Sequence, residues 1–212
     1  SMRETAAILF PHGSMANSPS QPLVDSTKGK FGPFAGQMLI GEMNKRRIMR
    51  VILEDVDGNM QGACVPFFDG NGLVTGNNRL AFSPDGKSLW VGHSTHGWAG
   101  NHGIQKITWT GKVPPELATI NLTPKGFSMG FTVPMDRKSA SDSANYSTKV
   151  YSYKYHQSYG SPQVNKETRQ PSKVTVSDDA KTILLEYEEM TARRVYEFNL
   201  GSLLTAEGGK LV

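Results

Sequence analysis

The chain has 212 residues, of which 37% are hydrophobic and 20% charged, which is enough to bury the core of one large or two small domains. Its 22 glycines and 12 prolines are too many for a helix-rich protein and too few for a disordered one. The formal net charge of +4 comes from scattered residues whose densest basic run is only Lys45-Arg46-Arg47, so we expect no nucleic-acid partner. No apolar run approaches the roughly 20 residues of a membrane-spanning helix, so we expect no membrane span.

The first part of the chain alternates short apolar runs with turn residues, a pattern typical of β-hairpins. Asp57-Gly58 suits a type I′ hairpin, and Pro84-Asp85-Gly86-Lys87 suits a tight turn. No window carries apolar residues at helical spacing over several turns, so we predict less than about a tenth helix. The predicted strands cover residues 6–10, 37–42, 47–54, 62–68, 79–82, 88–91 and 103–109.

Two of these hairpins resemble each other. Leu39-Ile40-Gly41 followed by residues 48–51 has the same layout as Trp90-Val91-Gly92 followed by residues 104–107. Gly41 and Gly92 are about 50 residues apart, which is within the range of propeller-blade repeats. The alternative is a chance similarity between two ordinary hairpins.

The sequence Gly-Lys-Val-Pro-Pro at residues 111–115 predicts a domain boundary, because proline is excluded from central strands. Beyond it, strands are predicted at residues 118–122, 127–133, 146–155, 173–176, 182–187 and 194–200. We therefore predict an all-β fold, with propeller-like antiparallel sheets of about two blades in residues 1–112 and an immunoglobulin-like β-sandwich in residues 113–212. The predicted core of the sandwich consists of Phe127, Phe131, Val174, Val176, Leu185, Tyr196, Phe198 and Leu200.

The densest cluster of reactive side chains lies between Gly92 and Gly103. It contains His93, His96 and His102, together with Trp98. We interpret it as an exposed glycine-rich loop, where proteins often place binding residues, and imidazole can act there as acid, base or metal ligand. The spacing matches no compact zinc pattern. Histidines that only form local hydrogen bonds are an equal alternative.

Three other features are weaker candidates. His12 directly follows an apolar run, although a lone histidine is more often structural than catalytic. Residues 55–59, Asp-Val-Asp-Gly-Asn, favour a hairpin turn over a calcium loop, since the glycine falls one position too early and no glutamate closes the loop. Tyr151, Tyr153 and Tyr155 share one face of a strand, either as a sugar-stacking platform or, as we favour, as the half-buried face of a sandwich.

Residues 31–42 with Arg50-Val51, and then residues 78–92, resemble the last blades of six-bladed propellers in the soluble quinoprotein glucose and sorbosone dehydrogenase family. Gly126-Phe127, residues 131–136 and residues 159–162 resemble the β-rich extension that follows such propellers in large secreted proteins of some environmental bacteria. The resemblance covers most of the chain in pieces. It implies an extracytoplasmic, periplasmic or secreted, oxidoreductase that acts on a sugar or alcohol.

The same resemblance implies pyrroloquinoline quinone (PQQ) and calcium as cofactors. It implies His12 as the catalytic base and Arg79, His93, His96 and Trp98 as ligand-binding residues, and we add His102 from the same histidine cluster. A closed propeller needs at least about four blades, so the missing blades or a homo-oligomer partner would have to complete it. We expect the chain to be inactive alone. The alternative is a non-catalytic carbohydrate- or protein-binding β module. It would use Trp98 and the strand that carries Tyr151, Tyr153 and Tyr155, which we call the tyrosine strand.

Overall fold

The computed structural model describes residues 6–70, 72–97, 99–154, 156–157 and 160–212. Half of the structure is β-strand and 4% is helix, so the predictions of an all-β fold and of less than a tenth helix are confirmed. The chain divides into two compact units, Ser1–Val113 and Pro114–Val212, which we call unit 1 and unit 2. Every sheet described is antiparallel and open. No helix in the described ranges has the length and apolar character needed to cross a membrane.

Unit 1 begins with a four-stranded sheet in the order β1-β2-β3-β4. Its first strand was not predicted, because Pro19 and Pro22 argue against a strand. The structure accommodates both prolines because β1 lies at the edge of the sheet, where ladder hydrogen bonds are dispensable, and its register shifts between them. The four strands are β1 (Pro19–Val24), β2 (Met38–Glu42), β3 (Arg47–Val56) and β4 (Asn59–Asp69).

The second sheet of unit 1 has three strands in sequence order, β5 (Asn77–Phe82), β6 (Ser88–His96) and β7 (Ala99–Thr108). Its inner face packs on the four-stranded sheet, and burial of this shared apolar surface is the main stabilising contribution within the unit. The core that results contains Leu39 and Ile48 from the first sheet and Leu80, Leu89 and Val91 from the second.

The prediction of a strand at residues 6–10 was wrong. This apolar run covers the opposite face of the four-stranded sheet without joining its ladder, with Ile8 and Phe10 packed against Ile40, Met49 and Val51. Because β2 and β3 are buried on both faces, the covering segment needs apolar side chains whether or not it is extended.

The two similar hairpins pair in the same register. Gly41 lies opposite Ile48 as Gly92 lies opposite Ile104, and the neighbouring pairs correspond as well. Their surroundings differ, since Ile48 is fully buried and Ile104 is 71% exposed. The shared register is therefore a property of the hairpins themselves and not of a common packing environment.

Unit 2 consists of one four-stranded sheet, ordered β12-β13-β9-β8, and one three-stranded sheet, ordered β11-β10-β14. A short helix, α1 (Arg137–Ser141), is capped by Asp136, which accepts from the Ser139 backbone N–H, and is followed by a 3-10 turn at Ser143–Tyr146. The strands are β8 (Leu117–Thr123), β9 (Gly126–Phe131), β10 (Thr148–Tyr153), β11 (Gln163–Arg169), β12 (Lys173–Val176), β13 (Thr182–Glu186) and β14 (Val195–Phe198).

The two sheets of unit 2 meet through aromatic contacts. The ring of Phe127 on β9 lies 5.2 Å from the rings of both Tyr196 and Phe198 on β14. Among the predicted core residues Phe131 and Leu185 are buried, whereas the other six are half-buried. Five further residues that were not predicted as core are at most 1% exposed, namely Met129, Val150, Tyr151, Ile183 and Leu203.

Replacing Leu185 with Ala should lower the free energy of unfolding of unit 2 by about 2–5 kcal/mol, because the side chain is fully buried on β13 and its removal leaves a cavity. Leu122→Ala is the matched control. Leu122 is 37% exposed, so its replacement should lower the free energy of unfolding by less. Urea unfolding followed by tyrosine absorbance reports on this unit, because all 7 tyrosines lie in it. Equal losses in the two variants would contradict the assignment of Leu185 to the core.

Candidate functional site

The glycine-rich segment between Gly92 and Gly103 is not a loop, and this part of the sequence-based interpretation was wrong. Strands β6 and β7 continue through it as a hairpin that turns after His96. Its glycines allow backbones to approach closely. A Cβ atom on Gly100 would lie 2.2 Å from the Ser94 carbonyl oxygen, and one on Gly76 would lie 2.5 Å from the same atom. Close packing and the positive φ of both residues, not flexibility, explain these two glycines.

His93 is buried on the inner side of this hairpin, with only 9% of its surface exposed. Neither ring nitrogen completes a hydrogen bond to another described residue. Burial lowers the pKa of His93, and this effect outweighs the opposite influence of the Thr75 backbone and the Gln105 side chain nearby. The imidazole is therefore held neutral beneath residues 72–76.

Gln105 holds that covering segment in place. Its side-chain oxygen accepts a hydrogen bond of 2.9 Å from the Val74 backbone N–H, and its side-chain nitrogen donates one of 2.9 Å to the Gly72 carbonyl. The His93 side chain therefore offers little surface to a ligand. His93 is thus better explained as a core residue than as a ligand-binding one.

The other predicted site residues do not gather around His93. His96 and His102 are exposed near the end of the hairpin. Arg79 is exposed on β5, where its guanidinium donates to the backbone and side-chain oxygens of Asn78 at 3.1 and 2.8 Å. Trp98 lies outside the described residues.

His12, the predicted base, is exposed in the segment that covers the four-stranded sheet. This segment is anchored by Arg47, which donates to the Ser14 carbonyl at 2.6 Å and the Met15 carbonyl at 2.9 Å. The only β-type contact of His12 given by the described chain is an isolated bridge to Ala16. Among the described residues, none is recorded as orienting the His12 ring in the way that a general base requires.

A buried carboxylate that the sequence did not reveal lies at the end of β2. Glu42 is fully buried, and its Oε1 accepts hydrogen bonds from the backbone N–H groups of Asn17 at 2.9 Å and Ser18 at 2.6 Å. Its Oε2 accepts from the Lys45 backbone N–H. Glu42 therefore stabilises two chain segments, and these bonds occupy both of its oxygens. Only the folded chain brings residues 17, 18 and 45 together, so no local signal could have found this contact.

The described residues contain no group of three or more His, Cys, Asp or Glu side chains that could hold a metal ion. Asp55 and Asp57, considered above for calcium, instead form a hairpin turn in which Asp55 Oδ1 accepts from the Gly58 backbone N–H at 2.7 Å. Both Asp57 and Gly58 adopt the positive φ of a type I′ turn. The described part of the chain does not by itself offer the oxygen ligand set that calcium prefers.

Of the three tyrosines predicted to share a half-buried face, Tyr151 is fully buried and Tyr153 is half-buried. Tyr151 is 1% exposed, and its hydroxyl donates to Glu197 Oε2 at 2.9 Å. Burial raises its pKa, and the Glu197 carboxylate raises it further. The Tyr153 ring contacts the Tyr151 ring edge-on at 5.6 Å, and Tyr155 lies outside the described residues. Tyr151 and Tyr153 therefore do not form an open stacking platform.

The clearest exposed aromatic surface is the outer face of the β5–β6–β7 sheet. Leu80 and Val91 point into the core, so the alternation of side chains places the residues on either side of them outward. We call this surface the tryptophan face. It consists of Arg79, Ala81, Trp90, Gly92, Ile104 and Lys106.

Gly92 makes a depression in the middle of the tryptophan face. It lies between Arg79 on one side and Ile104 on the other. A Cβ atom placed on Gly92 would touch only Arg79, at 3.4 Å to Cβ and 3.7 Å to the carbonyl oxygen. Trp90 is 42% exposed and forms the next position along β6 on the same face. The Lys106 Nζ lies 5.4 Å from the centre of its indole ring.

Two open depressions on unit 2 are less suited to a ligand. They have volumes of about 350 and 430 Å³. In each, one lysine and one glutamate of the lining form an ion pair, Lys173 with Glu186 at 3.3 Å and Lys149 with Glu197 at 3.7 Å. Neither depression gathers an exposed aromatic ring with unpaired donors, so the tryptophan face is the candidate site.

Burial of neutral His93 predicts that unit 1 loses stability in acid. Its pKa in the folded protein lies below the unfolded value of about 6.5. The stability that unit 1 gains from keeping His93 neutral is therefore complete above about pH 6.5. It is lost as the pH falls through the lowered folded-state pKa of His93.

In wild type the free energy of unfolding should fall over this range by up to about 1.4 kcal/mol per pH unit more than in His93→Gln. Exposed His102 provides the control, and His102→Gln should keep the wild-type slope. Urea unfolding followed by tryptophan fluorescence reports on unit 1, which contains all 3 tryptophans. An unchanged slope in His93→Gln would contradict the neutral, buried state of this histidine.

Comparisons with known proteins identify no relative of this chain. No family model matches it, no curated protein matches it, and no solved structure matches it.

Proposed function

We propose that this chain is a non-catalytic β module that binds carbohydrate on the tryptophan face. The observation that carries the proposal is the partly exposed Trp90 indole beside the Gly92 depression. Aromatic rings provide large, rigid apolar contact area, and the C–H face of a sugar ring can stack on them. Arg79 at the rim supplies hydrogen-bond donors for hydroxyl groups.

Binding is favoured over catalysis because two buried ionisable side chains of unit 1, Glu42 and His93, have structural roles. Glu42 accepts three backbone hydrogen bonds, and His93 is buried beneath a clamped segment. A catalytic constellation needs an acid or base within reach of a bound substrate and oriented by a partner. His12 is exposed but has no such partner among the residues described.

The second candidate function is that of a piece of an extracytoplasmic quinoprotein-like dehydrogenase for sugars or alcohols. The observation that favours it is the equal register of the β2–β3 and β6–β7 hairpins, as expected of two propeller blades. PQQ and calcium would then bind only after missing blades or a homo-oligomer partner complete the propeller. In this proposal unit 2 is an immunoglobulin-like sandwich that extends the propeller.

Trp90→Ala should abolish retention of the protein on a carbohydrate array that contains neutral and acidic glycans, because the stacking surface is removed. Leu53→Ala is the matched control, since Leu53 is 40% exposed on β3 and lies outside the tryptophan face. That variant should bind like wild type. Failure of the wild-type protein to bind any glycan would overturn the carbohydrate proposal.

The chain alone should not reduce a redox dye when PQQ, calcium and a panel of sugars and alcohols are added. A propeller cofactor site is built from loops of several blades, and residues 1–112 supply only about two. Thermal unfolding should also be unchanged by PQQ with calcium. Dye reduction that depends on PQQ would contradict the non-catalytic assignment and favour the quinoprotein alternative.

A further inference from the structure

From the charges of the tryptophan face we infer that its ligand is an acidic carbohydrate, a chain of sugar rings that carry carboxylate groups. This inference rests on the proposed function, because it names the ligand class of the same site. The six positions of the face include two cations, Arg79 and Lys106, and no acid. A neutral sugar would not require either charge.

The position of Arg79 suits a carboxylate. Its Nη1 donates to the backbone and side-chain oxygens of Asn78, which orients the guanidinium, and the Arg79 Cβ lies at the edge of the Gly92 depression. Five N–H donors are available on a guanidinium, so further donors remain for a ligand. The guanidinium fork matches both oxygens of a carboxylate, which gives geometric selectivity as well as charge.

The spacing of the face fits one sugar ring on Trp90 with its substituent over Gly92. The two residues are two positions apart on β6, a distance of about 7 Å. Arg79 lies directly opposite Gly92 on the neighbouring strand, about 5 Å across the ladder. A carboxylate carried by a ring stacked on Trp90 therefore reaches the guanidinium, provided that Gly92 stays without a side chain.

Lys106 adds positive charge on the other side of the indole. It lies opposite Trp90 on β7, with its ammonium group near the ring. Asp85 is the acidic residue closest to Trp90 in the sequence. Its carboxylate accepts hydrogen bonds from the Ser83 hydroxyl at 2.5 Å and the Lys87 backbone N–H at 3.0 Å. Those contacts, led by the Ser83 hydrogen bond, lower its pKa. Asp85 does interact with Lys106, so part of the lysine charge is screened and Arg79 is the principal determinant.

An acidic sugar is favoured over nucleic acid as the occupant. Two cations around one exposed ring are fewer than a phosphate-tracking groove needs, and the densest basic run of the chain lies elsewhere, at Lys45 to Arg47. A single aromatic ring next to a one-residue depression matches one stacked sugar better than a row of stacked bases.

Isothermal titration of the full chain with polygalacturonate and polyglucuronate fragments, and with their neutral methyl esters, tests the inference. The esters keep the sugar backbone and remove only the charge. We expect wild type to bind the acids at least about tenfold more tightly than the esters. Arg79→Gln should remove most of this preference, and Lys106→Gln should reduce it less.

Two further variants separate binding from selectivity. Trp90→Ala should abolish binding of both the acidic fragments and their methyl esters. Gly92→Val should also abolish binding of the acids and of the esters, because the new side chain fills the depression. Gly92 does not adopt a positive φ, so the variant should fold, and an unchanged melting temperature will show that it does. Leu53→Ala again serves as the control outside the face.

The possible failures are distinguishable. Equal affinity for acid and ester, or a preference that survives Arg79→Gln, would overturn the acidic-ligand inference and leave the carbohydrate proposal intact. Absence of binding to every fragment and to every glycan of the array would overturn both. Tighter binding of a single-stranded oligonucleotide than of any sugar would replace the inference with nucleic-acid recognition.

Discussion

The amide of Asn77, fully buried at the start of β5, is the contact on which the arrangement of unit 1 depends. Its Nδ2 donates to the carbonyl oxygens of Glu42 and Lys45 at 3.1 Å and of Arg47 at 3.3 Å, so one side chain closes the β2–β3 turn and attaches the second sheet to it. The Ser20 hydroxyl donates to the Asn77 carbonyl at 2.6 Å. Buried carbonyl oxygens are costly when unpaired, so the donor side of this amide is stabilising, while the Asn77 Oδ1 has no hydrogen-bond partner among the described residues.

The same contact decides which side of the β5–β6–β7 sheet is exposed. Gly41 permits the approach, since a Cβ atom there would lie 2.3 Å from the Asn77 carbonyl oxygen. With β5 held at this position, Leu80 and Val91 enter the core and Arg79, Trp90 and Gly92 face outward. The exposed side of this sheet thus follows from how its buried face meets the four-stranded sheet, where Asn77 makes its contacts, and not from the histidine cluster between Gly92 and Gly103.

Two turns show how local chemistry is reused in different surroundings. In the β5–β6 turn Asp85 Oδ1 accepts from the Ser83 hydroxyl and the Lys87 backbone N–H, and in the β12–β13 turn Asp179 makes the same two contacts with Ser177 and Lys181. These bonds lower the pKa of both carboxyl groups. The side-chain contacts of such turns are local, and for this reason the turn at residues 84–87 could be predicted from the sequence.

The sequence alone determined the all-β class and most strands, because alternation of apolar residues and turn chemistry are local properties. It missed β1, whose prolines are acceptable only at a sheet edge, and β11, whose polar residues at 163–169 leave no apolar pattern. It also read apolar residues 6–10 as a strand, although a covering segment needs the same composition. Only the tertiary structure decided the site: burial of His93 and exposure of Trp90 depend on which face of one sheet meets its neighbour, and residues distant in sequence set that choice.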